Sequence, residues 1–157
     1  MDNLEVMRDE QKRGRYGRIR AQLAELLTVT EDVTARMATV AGLLHHKMDY
    51  FFWTGFYRLV DGELLVGPYQ GPLACQKLKK GAGVCWAAVK RGETIVVPDV
   101  SKFAGHIACD SRSRSEIVVP CRDGEGRIVA VLDVDSVSLG SFDEIDAAEL
   151  EEIVRLI

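Results

Sequence analysis

Four cysteines hold most of the reactive potential of this 157-residue chain: Cys75, Cys85, Cys109 and Cys121, set 10, 24 and 12 residues apart. Those gaps contain no C-x-x-C pair, the short-range knuckle on which zinc ribbons depend, so no metal site is assigned. His106 lies three residues before Cys109, and one such pair is a weak metal signal. Three of the thiols close glycine-containing stretches, GPLAC at Cys75, GAGVC at Cys85 and GHIAC at Cys109. Such stretches make loops and element ends, where a thiol stays accessible; the alternative is a buried, inert small hydrophobe. The second set of chemical groups is acidic. Asp133 and Asp135 in VLDVDS are two residues apart on an expected strand, so they share a face. Adjacent carboxylates repel, which raises one pKa unless a cation sits between them. The competing reading, a strand end facing water and capping the next turn, is slightly favoured by spacing alone. Glu116, before the apolar IVVP, is a third acid in a strand built for burial. Three acids in such surroundings suit an ammonium group, a metal or a proton donor.

The elements that must position these groups follow from periodicity. Ile19, Leu23, Leu26 and Leu27 form a helical stripe, and Val33, Met37, Val40 and Leu44 form a second running to about Met48. Thr30 is the expected N-cap of that second helix, with Glu31 and Asp32 in its first turn. YFFWTGFYRL reads as a strand, joined through the Asp61-Gly62 hairpin turn to ELLVGPYQG. GAGVCWAAVKRG is a loop feeding a short helix that begins near Val84, and ETIVVPDV is a short strand stopped by Pro98. Asp99 to Ser115 is a long polar connection without hydrophobic period, the kind that in a compact domain tends to be functional or disordered. SEIVVPC and GRIVAVLDVDS are strands joined at Asp123-Gly124. Ser141 and Glu144 have capping-box spacing for a last helix striped by Leu150, Ile153, Val154 and Ile157. The order is α+β, helices packed on one face of an antiparallel sheet.

The chain is 47% hydrophobic and 28% charged with a net charge of −4, a balance that excludes a disordered or fibrous chain. It has no apolar run long enough to span a bilayer and no hydrophobic signal core at its start. A net acidic chain binds polyanions poorly, so neither nucleic acid nor membrane is an expected partner. A cytoplasmic domain is expected, where four cysteines are unsuited to structural disulfides. Residues 1–16 are expected to be an arm or helix start, and 17–157 the domain.

Taken together, WTGFY at Trp53–Tyr57, GPYQG at Gly67–Gly71, Ala74-Cys75, GVC at Gly83–Cys85, VPDV at Val97–Val100, GHIACD at Gly105–Asp110, SEIVVP at Ser115–Pro120 and LDVDS at Leu132–Ser136 resemble the free methionine-(R)-sulfoxide reductases. Those enzymes are built on a single GAF domain, and the resemblance covers about residues 20–157. It implies a six-stranded antiparallel sheet with helices on one face and a ligand pocket on the other. It also implies an oxidoreductase of oxidative-stress repair, which reduces free L-methionine (R)-S-oxide to methionine through an enzyme disulfide. No bound cofactor is implied; the reductant is thioredoxin, itself served by NADPH and thioredoxin reductase, and the assembly a homodimer.

Residue by residue, Cys109 matches the catalytic cysteine, and Cys75 and Cys85 match two further thiols, one or both of which pair with it. Trp53 and Tyr57 match aromatic residues around the substrate, and Glu116, Asp133 and Asp135 its carboxylates. Trp86 departs from the family, which has glycine after GVC, and puts a large side chain beside a redox cysteine. Cys75, in a glycine-flanked loop without such a neighbour, is therefore the first choice as resolving thiol. Cys121 has no counterpart and is expected to be dispensable. The chemistry asks for a low-pKa, exposed thiol, which suits Cys109 in a polar loop near His106, Arg112 and Arg114, with His106 ordering the loop. The alternative function is a GAF ligand-binding or thiol redox-sensor module without turnover.

Overall fold

The computed structural model describes residues 8–106 and 109–157. Residues 1–7 of the expected arm, and Ile107 and Ala108 of the GHIACD motif, lie outside the described residues. Helix α1 (Asp9–Leu26) opens with Asp9 and Glu10 in its first turn, where acidic groups complement the helix dipole, and buries Tyr16, Ile19 and Leu23. Leu26, part of the expected stripe, is instead 47% exposed. Helix α2 (Val33–Lys47) buries Met37, Val40, Ala41 and Leu44 and ends on the basic His45, His46 and Lys47. Its N-cap is Asp32, not Thr30: the Asp32 carboxylate accepts from the Ala35 N–H at 2.8 Å. Thr30 caps the cap, its hydroxyl accepting from the Asp32 N–H at 3.2 Å.

Strand β1 (Trp53–Val60) turns through Asp61 and Gly62, both at positive φ, into β2 (Glu63–Gln70). That pair of left-handed residues matches the strand twist, as the Asp-Gly signal predicts. Helix α3 (Gly83–Arg91) follows, then β3 (Ile95–Val97), a single 3-10 turn at Val100–Lys102, the hairpin of β4 (Ser115–Arg122) and β5 (Ile128–Ser136), and α4 (Glu144–Val154). Helix α4 is capped by Asp143 with Asp146 reaching back, so the capping box lies two residues beyond the Ser141–Glu144 pair the spacing suggests.

All pairings are antiparallel, in the order β2-β1-β5-β4-β3, which makes five strands rather than the expected six. The sixth position on the β2 edge is reduced to one bridge, Leu65 with Lys77, flanked by the Gln76 carbonyl accepting from Val66 N–H and the Leu78 N–H donating to Leu64. That segment is pinned on one side by the bonded Cys75 and turns away on the other at Gly81, whose φ is +79°. Between those two points the segment pairs with β2 only at that bridge and its two flanking hydrogen bonds.

The strand period of two divides the core. Phe56, Ile117, Cys121, Leu132 and Val134 face the layer of α1, α2 and α4. Trp53, Tyr57, Val118 and Val131 face the other way, with the buried Val84, Cys85 and Ala88 of α3. Three helices thus share one face as expected, while α3 crosses the opposite face and roofs part of the pocket there.

Candidate active site

The pocket on the α3 side is built on alternate positions of three neighbouring strands. The register sets Trp53 beside Asp135 and Asp135 beside Glu116 in one row, and Gly55 beside Asp133 in the next. Period two therefore aims Glu116, Asp133 and Asp135 at one space, the interpretation that strand spacing alone had disfavoured against a water-facing strand end. Glu116 and Asp133 are buried and Asp135 half-buried. Burial and mutual repulsion push Glu116 and Asp135 well above the ordinary carboxyl range. Asp133, raised by burial and held back by its hydrogen-bonding neighbours Glu116 and Cys85, is pushed up to about 6. Among the described residues, Asp133 Oδ1 is the buried side-chain oxygen without a hydrogen-bond partner. The cluster therefore stores protons near neutral pH and keeps one acceptor open.

The aromatic wall follows from a missing side chain. Trp53 stacks on Tyr57 and Tyr69 with ring centroids 5.7 and 5.3 Å away. A Cβ at Gly55 would lie 2.6 Å from the Trp53 indole and closer still to Tyr69 Cβ. Only glycine lets the indole lie flat along β1. Tyr69, inside the GPYQG motif, was not named from sequence as part of this wall; its alternation on β2 is the signal that could have found it.

These aromatics also hold the loop that carries a thiol. Trp53 Nε1 donates to the Pro72 carbonyl at 3.1 Å, and the Tyr57 hydroxyl donates to the Cys75 carbonyl at 3.3 Å. Cys75 is bonded to Cys109, with Cα atoms 5.6 Å apart, and Cys109 lines the pocket together with Leu73 and Ala74. On the Cys109 side, Asp110 accepts a two-pronged pair of bonds from the Arg112 guanidinium at 2.9 and 2.6 Å, which holds Asp110 at about 2. The same guanidinium lies 4.9 Å over the Phe52 ring. His106 Nδ1 is 3.9 Å from Glu116 Oε2, and burial lowers its pKa, so the ring is neutral near pH 7. The Arg114 backbone joins the loop to the sheet, its N–H donating to Ser136 and its carbonyl accepting from Val100.

The other two thiols are buried and free. Cys85 sits in the first turn of α3 and faces the acids; its Sγ and oxygens of Glu116 and Asp133 lie within 4.8 Å of one another. Desolvation and the acids drive its pKa well above that of a free thiol. Sequence reading placed Cys85 with the redox thiols and missed this membership of the acid cluster, because helix phase against a sheet is not written in local spacing. Trp86 is tethered through Nε1 to the Leu78 carbonyl at 3.5 Å, so the departure from glycine adds a hold on α3. Cys121 is on the opposite face of the sheet, and burial pushes it up to about 12.

The GAF domain model matches residues 30–157. A curated free methionine-R-sulfoxide reductase of Escherichia coli is 37% identical over 139 residues, covering 88% of this chain and 84% of that protein. The chain belongs to the GAF-domain free methionine-R-sulfoxide reductases. GAF domain-containing protein A of Dictyostelium discoideum is 46% identical over 99% of this chain and 98% of its own length. The solved reductase of Neisseria meningitidis in complex with its substrate superposes with a TM-score of 0.88 at 41% identity, over 99% of this chain and 93% of that one. Among the described residues no helix is long and apolar enough to cross a membrane.

Proposed function

We propose that this chain reduces free methionine (R)-sulfoxide to methionine, with Cys109 as nucleophile and Cys75 as its resolving partner. The observation that carries the reading is that Cys109, bonded to Cys75, lines the same pocket as three acids of raised pKa. The Cys109 thiolate attacks the sulfoxide sulfur while the acid cluster protonates the oxygen. As the substrate S–O bond breaks, the protonated oxygen is transferred to Cys109 and the bond between the two sulfurs is released, so methionine leaves with its sulfur lone pair restored and Cys109 is left as a sulfenic acid. The Cys75 thiol displaces that oxygen as water and forms the disulfide. A dithiol reductant returns both cysteines to thiols; we assign thioredoxin, in keeping with the exposure of Cys109. Cys85 is disfavoured as the resolving thiol because it is buried and protonated among acids.

With the bridge closed, the pocket encloses about 50 Å³, room for a few waters. Substrate entry follows reduction, once the Cys75 loop can swing on its Trp53 and Tyr57 tethers. The acids fit a cation: the substrate ammonium relieves their repulsion, and the Trp53 face suits the terminal methyl.

The test compares free and N-acetyl-methionine (R)-sulfoxide in an NADPH-oxidation assay coupled through thioredoxin and its reductase. Turnover with the free amino acid and a kcat/KM at least ~100-fold lower for the acetylated one is expected. Comparable values would remove the ammonium role of the acids. One equivalent of oxidation without turnover would mark a redox sensor instead.

A further inference from the structure

We propose that Cys85, Glu116 and Asp133 form a binding site for a thiophilic divalent cation of the Zn²⁺ class, whose occupancy blocks the substrate pocket. The donors come from three elements that the fold holds rigidly: the first turn of α3, β4 and β5. One donor atom from each lies within 4.8 Å of the others, close enough for a single ion to reach all three after small side-chain rotations. Two observations separate this cluster from an ordinary group of acids. All three residues are buried, with relative exposures of 4, 5 and 6%, so water does not screen them. Asp133 Oδ1, moreover, is buried on the pocket with no hydrogen-bond partner, an acceptor left open where a cation would sit.

The donor chemistry selects the ion. One thiolate with two carboxylates is too soft for Mg²⁺ or Ca²⁺, which take all-oxygen shells, and suits Zn²⁺ or Co²⁺. Three protein donors leave a fourth position toward the pocket for water. Binding releases the protons now shared by the thiol and the acids, so affinity rises with pH. The ion is no participant in the reaction: it occupies the acids proposed to receive the substrate ammonium. Cys75 and Cys109 are not donors, so the disulfide form binds as well as the reduced form.

The experiment titrates the disulfide-bonded protein, in which Cys85 and Cys121 are the free thiols, with Co²⁺ alone. One equivalent should produce a near-ultraviolet thiolate-to-cobalt charge-transfer band, bleached by stoichiometric Zn²⁺ and untouched by excess Mg²⁺. Cys85→Ser should abolish the band and Cys121→Ser should preserve it. Glu116→Gln keeps the thiol in place and should weaken binding at least ~10-fold, read by a chelator competition. No band in the wild type, or a band that survives Cys85→Ser, would overturn the site. Should Cys85→Ser fail to fold, undiminished affinity in Glu116→Gln would overturn it equally. Only the block on turnover depends on the reading under Proposed function: saturable Co²⁺ binding that free methionine sulfoxide does not displace from the reduced protein would leave the cation site standing and refute the shared location.

Discussion

Cys109 and Asp133 illustrate how one pocket asks opposite things of its side chains. Cys109 must be reachable and is exposed; Asp133 must resist ionisation and is buried. Cys109→Ser should lower turnover at least ~10³-fold, because a hydroxyl is a far weaker nucleophile at neutral pH, with methionine formation as the readout. Cys75→Ser should still release about one equivalent of methionine and then stall, its Cys109 trapped as a sulfenic acid detectable with a dimedone-type probe. Asp133 has a stability cost of calculable sign. Its pKa is raised from 3.8 to about 6, so the fold prefers its protonated form. The corresponding stabilisation is complete below the unfolded value of 3.8 and is lost as pH rises through about 6. Asp133→Asn cannot ionise. Its melting temperature relative to wild type should rise between pH 5 and pH 8, while kcat/KM for free methionine sulfoxide falls. A pH-independent difference in melting temperature would refute the buried-proton account.

At the scale of elements, the site depends on β1 lying close to its own side chains. Gly55→Ala would drive a methyl into the Trp53 indole and Tyr69. Because Trp53 and Tyr57 also tether the Cys75 loop, the substitution should raise KM several-fold and slow disulfide formation, seen as a longer-lived sulfenic acid in single-turnover quench experiments. Unchanged resolution kinetics would show that the tethers do not place Cys75. Much of this was legible beforehand. Alternation in VLDVDS put two acids on one face, the Asp-Gly dipeptide gave the β1–β2 turn, and glycine-flanked Cys75 and Cys109 marked loops, whereas Cys85, expected to be accessible too, is buried in the first turn of α3. What local pattern could not supply was long-range register. Whether the Asp133–Asp135 face met water or a roof depended on α3, which contributes from some 45 residues earlier in the chain. Cys85 joined the acids for the same reason. The helix starts erred by two residues because an Asp competed with each expected cap: Asp32 over Thr30, and Asp143 over Ser141. Both have a carboxylate that reaches the first-turn N–H groups and complements the dipole, which a hydroxyl does more weakly.

At the scale of the whole molecule, α1 lies outside the span matched by the GAF domain model, yet it is bound into the domain by a buried charge. Asp146 of α4 is fully buried and receives Lys12 Nζ at 2.8 Å, the Tyr16 hydroxyl at 2.6 Å and the Tyr50 hydroxyl. It also accepts the Asp143 N–H at 2.9 Å, closing the α4 cap. One carboxylate therefore joins α1, the segment leading into β1, and the start of α4. The ammonium of Lys12 is the cation that makes its burial tolerable, and that ammonium also lies 5.1 Å over the Tyr50 ring. Lys12→Met keeps most of the stem volume and leaves Asp146 charged without a counter-ion, which should cost about 3–5 kcal/mol in chemical denaturation. Adding Asp146→Leu removes the stranded charge, so the double variant should be more stable than Lys12→Met alone, though short of wild type because two tyrosine hydroxyls lose their acceptor. Additive losses would mean the pair is not coupled. The network lies on the α1–α4 side of the sheet and Cys85, Cys109 and the three acids of the pocket on the other, so the folded fraction of Lys12→Met should turn over free methionine sulfoxide with an unaltered KM. A raised KM would show instead that anchoring of α1 is transmitted through β1 to Trp53.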